Sequence, residues 1–222
     1  MRSIICALIV LLPWKLRRLV LQRFFGFDLH PTSHIGLAWI FPRKLVMERG
    51  THIGHFTVAK GMDLMVLREH AVIGRLNWFS AFPTGTTSRH FAHMEERKAE
   101  LVLEEHAGIS NRHIIDCTER VTIGRFATIA GYRSQILTHS IDLMICRQDA
   151  KPVTIGDYCF VGTSCTILGG AVLPDHSVLS AQALLNGPQH EPYRLYAGVP
   201  AAAIRVLDAD VQYFSRSEGY VF

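Results

Sequence analysis

The chain has 222 residues, of which 49% are hydrophobic and 19% are charged. A chain of this length and composition can bury a sizeable core, as one large or two small domains, which excludes an intrinsically disordered protein. The formal net charge is only +4, and apart from a cluster at residues 15–23 the basic residues are scattered. This excess is too weak to predict nucleic-acid binding, although it would suit an anionic small molecule or a membrane surface.

Residues 1–30 are predicted to form an N-terminal amphipathic helical segment. The apolar run at residues 4–12 is shorter than the roughly 18 residues that a membrane-spanning helix needs. No small-residue cleavage site of a signal peptide follows it, so we expect it to stay in the mature protein. In the segment WKLRRLVLQRFF that follows, four apolar residues recur at helical spacing: Leu16, Leu19, Val20 and Phe24. The opposite side is polar and mostly basic: Lys15, Arg18, Gln22 and Arg23. Such a helix could rest on an anionic membrane or cap the open end of a solenoid, and the sequence leaves both roles open.

Large aliphatic residues recur at every sixth position in the C-terminal half: Ile155, Val161, Ile167, Leu173, Leu179 and Leu185. Four residues after each of the first five comes a small side chain: Cys159, Cys165, Ala171, Ser177 and Ala183. If each six-residue unit holds one strand and one corner, three units close a triangular coil of about 18 residues. An ordinary β-sandwich would show a period of two instead. We therefore predict an all-β fold, a parallel β-helix of hexapeptide repeats at residues 31–205.

The same period runs through the N-terminal half, where Ile35 and Ile53 lie one coil apart. Ile-Gly dipeptides begin at positions 35, 53, 73, 123 and 155, and they mark predicted corners where glycine tolerates the required backbone. The period is broken at residues 80–100 and again at residues 132–152. We predict loops at both breaks, because loops that leave a solenoid commonly carry binding functions. Residues 206–222 are predicted to form a short C-terminal tail.

With this register, and with the segment YAGVPAAAIR at residues 196–205, the chain resembles the hexapeptide-repeat acyltransferases. These commonly follow their last coils with a Gly-x-Pro-Ala-x-x-Ile-Arg exit. The segments IDCTERVTIGRFATIAG, SQILTHSID and PVTIGDYCFVGTSCTILGG are most similar to the branch that O-acetylates sugars and polysaccharides. The resemblance implies a left-handed coil, a homotrimer, and an acyl-CoA bound in the groove between subunits.

Acetyl transfer to a hydroxyl requires a base that removes the hydroxyl proton, and histidine suits that task near neutral pH. His139 is the first candidate, because it lies in the second break at a place similar to the family's catalytic histidine. His113 is the second candidate, since its position in the repeat points it inward or to a corner, where it could hold the acceptor or be purely structural. Asp142 or Asp116 could orient the catalytic imidazole, and the sequence does not choose between them.

The resemblance also implies a binding site for acetyl-CoA, the expected co-substrate. Its pantetheine arm would lie along Gly162 and Thr163 and along Ser180 and Ala181, where small residues allow close approach to the backbone. Arg205 matches the arginine of the exit motif and would bind a CoA phosphate. Many relatives have lysines where this chain has Ala202 and Gly187, so the phosphate site is less basic here.

Two other classes of function remain as alternatives. A gamma-class carbonic anhydrase also uses this fold and binds zinc through three histidines, but the histidines here lack its five-residue spacing, so we expect no metal. A β-helix scaffold without catalysis would need neither a loop histidine nor the exit motif. The same chemistry could also use an acyl carrier protein as donor or an amine as acceptor.

The sequence favours a small-molecule or lipid-linked sugar as the acceptor, and it predicts no nucleic-acid partner. The five cysteines are odd in number and form no Cys-x-x-Cys pair, which fits a reducing cytoplasmic setting. The basic N-terminal segment adds peripheral contact with the inner membrane face to that expectation.

Overall fold

The computed structural model describes residues 2–221, with side chains described from Cys6 to Val221. The helices are α1 (Arg2–Val10) and α2 (Trp14–Phe25), and a 3-10 turn spans Gln212–Phe214. The strands are β1 (Asp28–Leu29), β2 (His34–Ile35), β3 (Trp39–Phe41), β4 (Lys44–Met47), β5 (His52–Ile53), β6 (Val58–Lys60), β7 (Leu64–Leu67), β8 (Val72–Ile73), β9 (Trp78–Ser80), β10 (Glu100–Leu103), β11 (Gly108–Ile109), β12 (Ile114–Asp116), β13 (Val121–Ile123), β14 (Thr128–Ile129), β15 (Gln135–Leu137), β16 (His139–Asp142), β17 (Arg147–Ala150), β18 (Val153–Ile155), β19 (Phe160–Val161), β20 (Thr166–Leu168), β21 (Val172–Leu173), β22 (Val178–Leu179), β23 (Leu184–Leu185), β24 (Arg194–Ala197) and β25 (Ala202–Val206).

Three sheets contain every strand of this described region except the β16–β17 hairpin. Their orders are β1-β4-β7-β10-β13-β18-β21, β2-β5-β8-β11-β14-β19-β22-β24-β25 and β3-β6-β9-β12-β15-β20-β23. Successive strands therefore pass from one sheet to the next, and the chain returns to each sheet once per coil. Pairing is parallel between coils, as between Ile155 and Leu173 or between Val161 and Leu179. The prediction of an all-β fold of parallel strands is confirmed.

The interior of the coil holds the two sets of side chains that the period predicts. Ile155, Val161 and the four aliphatics that follow them at six-residue spacing are fully buried. The small residues between them, from Cys159 to Ala183, are buried as well. Each coil stacks its aliphatics on those of the next, so one continuous apolar core runs through the molecule.

The sequence predicted that the glycines at the corners adopt a backbone conformation that other residues avoid. The structure differs from this prediction. The glycines of the Ile-Gly dipeptides do not have positive φ angles, whereas corner residues such as His106, Phe126 and Tyr158 do. These glycines are needed because the next coil is too close for a side chain. A Cβ on Gly156 would lie 2.3 Å from Asp175 Oδ1, and a Cβ on Gly54 would lie 2.6 Å from the Gly74 carbonyl oxygen.

The N-terminal segment consists of two helices, and α2 closes the first coil. Leu21 is fully buried, and the buried Arg17 donates from Nη1 to Gly36 O and from Nη2 to Ala38 O, both at 2.7 Å. Three of the four apolar residues that the sequence singled out face outward, with exposed fractions of 49% for Leu16, 60% for Leu19 and 78% for Phe24, whereas Val20 packs against the core. The helix therefore caps the coil with one side and exposes an apolar second side.

Neither α1 nor α2 has both the length and the continuous apolar character required to span a lipid bilayer, and no other helix in the described chain does either.

Two excursions and a tail complete the fold. The chain between β9 and β10, residues 81–99, leaves the coil as a long loop, here called the 81–99 loop. The second break forms the antiparallel hairpin of β16 and β17. After β25, the tail returns to the coil, where buried Phe214 packs against the rings of His176 and Tyr193.

Candidate active site

The structure joins His139 and Asp116 directly. Asp116 is the last residue of β12, and its neighbour in the next coil is Leu137, two residues before His139 begins the hairpin. His139 Nδ1 lies 2.8 Å from Asp116 Oδ2, and the His139 backbone N–H donates to the same oxygen at 3.1 Å. An ionised carboxylate can only accept, so Nδ1 carries the proton and donates it to Asp116. The second ring nitrogen, Nε2, makes no hydrogen bond within the described chain.

Asp116 is itself held by two threonines. Thr118 donates to Oδ1 from its backbone N–H at 3.2 Å and from its hydroxyl at 2.6 Å. Thr138 donates to Oδ2 in the same two ways, at 2.9 Å and 2.6 Å. Burial by itself would raise the pKa of Asp116, but the hydrogen bonds from His139, Thr118 and Thr138 outweigh burial and lower that pKa. The carboxylate is therefore ionised and fixed in place.

The same pair changes the proton affinity of the imidazole. The hydrogen bond to Asp116 raises the pKa of His139, against the lowering effects of burial and of the Arg97 charge. The His139 side chain remains 33% exposed, so a ligand can reach the ring. A partly exposed histidine held by a buried carboxylate has the arrangement of a general base.

Asp142, the other candidate for orienting the imidazole, lies at the far end of β16 and is exposed. Its Oδ1 accepts a hydrogen bond from the Met144 backbone N–H at 2.9 Å, within the hairpin turn. The structure thus brings Asp116 to the His139 ring and leaves Asp142 at the hairpin tip.

His113 lies inside the coil rather than at the surface, with an exposed fraction of 1%. Its Nδ1 accepts a hydrogen bond from the Ser134 backbone N–H at 3.1 Å, and its Nε2 lies 2.9 Å from Ser110 Oγ. Burial lowers the pKa of His113 to about 4, so the ring is neutral near pH 7. His113 begins the turn into β12 and Asp116 ends that strand, which separates them by about 10 Å along the chain. This geometry suits a structural histidine.

The 81–99 loop brings two aromatic rings to His139 that sequence reasoning did not assign. The rings of Phe82 and Phe91 meet the imidazole edge-to-face, with centroid distances of 5.5 Å and 6.0 Å. His93 links the same loop to the hairpin, since its Nε2 lies 2.9 Å from the Gln148 carbonyl oxygen. The only sequence signal for these residues was the break in the six-residue period.

A buried arginine fastens this loop to the coil. Arg97 is 7% exposed and donates from Nη1 to the carbonyl oxygens of Phe82, at 2.7 Å, and of Thr118. Its guanidinium carbon lies 4.6 Å from the centroid of the Phe91 ring. Arg97 therefore contacts both aromatic neighbours of His139 and the turn that holds Asp116.

Residues of the 81–99 loop line an open recess with a volume of about 680 Å³. Phe82 and Phe91, the two ring neighbours of His139, form part of its wall. The other lining residues are Pro83, Thr84, Gly85, Thr86, Thr87, Ser88, Ala92, Met94, Glu95 and Arg97.

The residues expected to bind acetyl-CoA lie along one sheet, since Gly162 and Thr163 follow β19 and Ser180 and Ala181 follow the neighbouring strand β22. Gly162 and Ala181 stack directly, because a Cβ on Gly162 would lie 2.6 Å from the Ala181 backbone nitrogen. Thr163 adjoins them, and its hydroxyl donates to the Tyr132 carbonyl oxygen at 2.9 Å. Ser180 donates its backbone N–H to Tyr196 O at 2.8 Å in β24, and Arg205 is exposed on β25, the next strand of that sheet. Four of the five thus form one corner, with Arg205 two strands away.

Possible metal ligands do not cluster in the described residues: no three or more His, Cys, Asp or Glu side chains converge in a geometry that could hold a metal ion. The histidines weighed for zinc binding have other contacts. His90 packs on Phe82, and His93, His113 and His139 make the hydrogen bonds given above.

Comparison with known proteins identifies the fold. A hexapeptide-repeat acetyltransferase from Vibrio cholerae superimposes with a TM-score of 0.52 at 22% identity, covering 64% of this chain and 73% of that one. The polysialic acid O-acetyltransferase OatWY gives a TM-score of 0.60 at 15% identity, covering 86% and 90%. A variant of AntD, an N-acyltransferase from Bacillus cereus, gives 0.56 at 12% identity, covering 81% and 88%. The chain therefore has the fold of the hexapeptide-repeat acetyltransferases.

Two of these solved proteins were captured with ligands. The Vibrio cholerae acetyltransferase has also been solved in complex with acetyl-coenzyme A, and the AntD variant was solved with dTDP-4-amino-4,6-dideoxyglucose and coenzyme A. No protein-family model matches this sequence, and no curated protein matches it at a significant level.

Proposed function

We propose that this protein is an O-acetyltransferase that moves an acetyl group from acetyl-CoA to a hydroxyl of a sugar or polysaccharide precursor. The observation that carries the proposal is the pair of His139 and Asp116, with His139 Nε2 unbonded within the described chain and two rings of the recess wall in contact with the imidazole. The fold shared with solved acetyltransferases supports the reaction class.

His139 acts as the general base in this proposal. The acceptor oxygen attacks the thioester carbonyl carbon, so a C–O bond forms and the C–S bond breaks, while Nε2 takes the hydroxyl proton. The proton then passes to the departing CoA sulfur. Asp116 keeps the proton of the neutral ring on Nδ1, so that Nε2 is the basic atom, and it stabilises the imidazolium that forms.

Acetyl-CoA would bind along the corner of Gly162, Thr163, Ser180 and Ala181, with Arg205 on a phosphate. Thr163 and Ala181 are exposed at that corner, and the small side chain of Ala181 leaves room for a pantetheine arm to approach the backbone. As the resemblance implies, we take the coil to be left-handed and the protein to be a homotrimer with acetyl-CoA between subunits. Light scattering of the purified protein should then give three times the mass of one chain.

The acceptor class is supported by what two of the structural neighbours act on. OatWY is named for polysialic acid, and the AntD variant was solved with a nucleotide-linked amino sugar. Because AntD is an N-acyltransferase, transfer to a sugar amine is the second candidate function. A carbonic-anhydrase activity has less support, because no two histidines in the sequence have the five-residue spacing of that class.

A lipid-linked acceptor and a cytoplasmic location with contact at the inner membrane face belong to the same proposal. The exposed apolar side of α2 supports contact with the membrane, and so does the positive charge of the N-terminal segment. Lys15 and Arg23 are exposed, and residues 2–27 contain no Asp or Glu. An apolar helix side flanked by basic residues matches an anionic lipid surface.

The activity is tested by measuring thiol release from acetyl-CoA against a panel of simple sugars, nucleotide sugars and undecaprenyl-linked glycans. We expect at least one sugar to stimulate release, and His139→Ala to reduce its turnover by about 10² to 10⁴-fold. The matched control is His55→Ala, which removes an exposed histidine between β5 and β6 whose ring accepts only from the Leu37 backbone N–H in the described structure. Unchanged turnover in His139→Ala would overturn the assignment of the base.

A further inference from the structure

The recess under the 81–99 loop has features of a binding site for a second substrate. Its volume of about 680 Å³ lies within the usual range for small-molecule sites, roughly 300 to 1,000 Å³. Two of its wall residues, Phe82 and Phe91, are the same rings that contact His139. His139 itself does not line the recess, so a ligand there reaches the imidazole only by extending past these two rings.

Polar contacts fix the loop at two of the residues that line the recess, Arg97 and Thr84. Arg97 donates hydrogen bonds to the carbonyl oxygens of Phe82, in the loop, and of Thr118, in the coil. Thr84 donates to Asp63 Oδ2 from its backbone N–H at 3.0 Å and from its hydroxyl at 2.7 Å. Arg43 donates to the Thr84 carbonyl oxygen at 2.6 Å. A site fixed in this way loses little conformational entropy when a ligand binds.

The lining matches the surface of a sugar. Phe82 and Met94 offer apolar surface that can pack on the C–H face of a sugar ring, whereas Phe91 is buried and contributes little surface. Thr86, Thr87 and Ser88 offer exposed hydroxyl groups close to that surface. Hydroxyl groups both donate and accept hydrogen bonds, as sugar hydroxyls do. This mixture of apolar surface and paired donors and acceptors would suit neither a long acyl chain nor a nucleic acid.

The charge of the recess favours a neutral sugar. Glu95 is exposed in the lining, whereas the other charged lining residue, Arg97, is buried and bonded to backbone carbonyls. The positive charge of Arg97 also faces Glu119, Asp63 and Asp116. Among the lining residues the only exposed charge is therefore the negative charge of Glu95, which opposes binding of an acidic glycan.

We propose that the recess under the 81–99 loop is the acceptor site and that it binds an uncharged oligosaccharide, whose terminal hydroxyl meets His139. The assignment of this ligand as the acceptor rests on the proposed acetyl transfer. The binding of a neutral glycan in the recess does not.

The matched pair Glu95→Trp and Glu96→Trp tests the proposal in the full chain. Both glutamates are exposed neighbours, but only Glu95 lines the recess, so the indole would fill the recess in one variant and stay outside it in the other. The probes are maltotriose and chitotriose, with a trimer of sialic acid as the acidic comparison. Binding is measured by ligand-observed NMR, and thiol release from acetyl-CoA is measured separately on the same samples.

We expect at least one neutral trisaccharide to bind the wild-type chain and Glu96→Trp, with at least a tenfold higher Kd for Glu95→Trp. The proposal is overturned if neither neutral probe binds, if the sialic acid trimer binds more tightly, or if Glu95→Trp binds as well as Glu96→Trp. Loss of glycan binding in Glu95→Trp without thiol release from any sample would support the recess and instead contradict the proposed acetyl transfer.

Discussion

At the scale of single residues, the site depends on how Asp116 is fixed. Two threonine hydroxyls and three backbone N–H groups, together with the imidazole, satisfy its carboxylate. A buried carboxylate with that many donors stays ionised, and its charge then stabilises a protonated His139. The cost of burying Asp116 is thereby offset by contacts that also orient the base.

Substitution of Asp116 by asparagine is predicted to change both the pKa of His139 and the orientation of its ring, and the two changes can be measured separately. In the proposed mechanism neutral His139 is the active form, and its pKa is raised above the ordinary 6.5, so wild-type activity should rise with pH through that raised value. Without the carboxylate the pKa of His139 falls, and the rising limb of kcat/KM against pH should move to lower pH. Turnover on the plateau should also fall, by about tenfold or more, because the ring loses its orienting partner.

Asp142→Asn is the matched control, because Asp142 bonds only within the hairpin turn in the described structure. A pH profile that shifts equally in both variants, or in neither, would show that Asp116 does not act on His139.

The choice between these two aspartates illustrates what the sequence could not provide. Asp142 is three residues from His139 and Asp116 is 23 residues away, so proximity in sequence favours the wrong neighbour in space. The contact with Asp116 arises because consecutive coils place β12 beside β15, which brings Asp116 level with Leu137. Which aspartate contacts His139 therefore depends on the register of the strands before and after the hairpin, and the sequence alone does not give that register.

At the scale of elements, the 81–99 loop depends on Arg97, which we interpret as a positioning residue. Arg97 links the loop to the turn that holds Asp116, and its charge lowers the pKa of His139. Arg97→Met should therefore move the rising limb of the pH profile to higher pH, in the direction opposite to Asp116→Asn. It should also raise the KM for the acceptor, because the loop is no longer held.

Arg97→Lys serves as the control for charge. A lysine keeps the positive charge but loses the planar, forked set of donors, so the pH profile should return toward that of the wild type while the KM remains high. If Arg97→Met lowers stability without moving the pH profile, the residue acts on folding alone.

The N-terminal helices give a second prediction at this scale. The exposed apolar side of α2 should insert into anionic vesicles, so the protein should cosediment with vesicles of phosphatidylglycerol and phosphatidylcholine more than with phosphatidylcholine alone. Leu19→Glu should abolish this difference. Leu143→Glu is the control, since Leu143 is equally apolar and even more exposed, but lies on the hairpin. Equal loss in both variants would rule out a specific role for α2.

At the scale of the whole molecule, stability depends on the close stacking of coils. Gly156→Ala would place a methyl group 2.3 Å from Asp175 Oδ1 and 2.7 Å from the Asp175 backbone nitrogen. Forcing that group into the stack should lower the free energy of unfolding by about 1 to 3 kcal/mol.

Gly187→Ala is the matched control, because no atom lies within 4 Å of the Cβ it would add. Chemical denaturation of the two variants should show a lower midpoint for Gly156→Ala only. A Gly156→Ala variant as stable as Gly187→Ala would mean that the coils are not packed as closely as described.

The fold was largely predictable because a six-residue period specifies both the strand and the corner. The aliphatics from Ile155 to Leu185 could be placed in the core from spacing alone, since every third unit returns to the same sheet. The corners were less predictable, because backbone with positive φ is occupied by residues such as Tyr158 and His176 rather than by glycine. Stacking of these rings, with centroids 5.2 Å apart, is a contact between coils that spacing does not reveal.

The contacts between the 81–99 loop and His139 could not be predicted from the sequence, for a related reason. Phe82 and Phe91 meet His139 across more than 45 residues of chain, and they lie where the repeat, the only long-range signal, is interrupted. The sequence could therefore show where the coil is interrupted, but not that the two interruptions meet at one site.

The central proposal is that this protein moves an acetyl group from acetyl-CoA to a sugar hydroxyl, with His139 as the general base. Mass spectrometry of the acceptor after incubation with acetyl-CoA tests it most directly, followed by treatment with hydroxylamine, which removes esters and leaves amides. We predict one added acetyl group that hydroxylamine removes, and no such product with His139→Ala. An acetyl group that resists hydroxylamine, or an undiminished yield from His139→Ala, would contradict the claim.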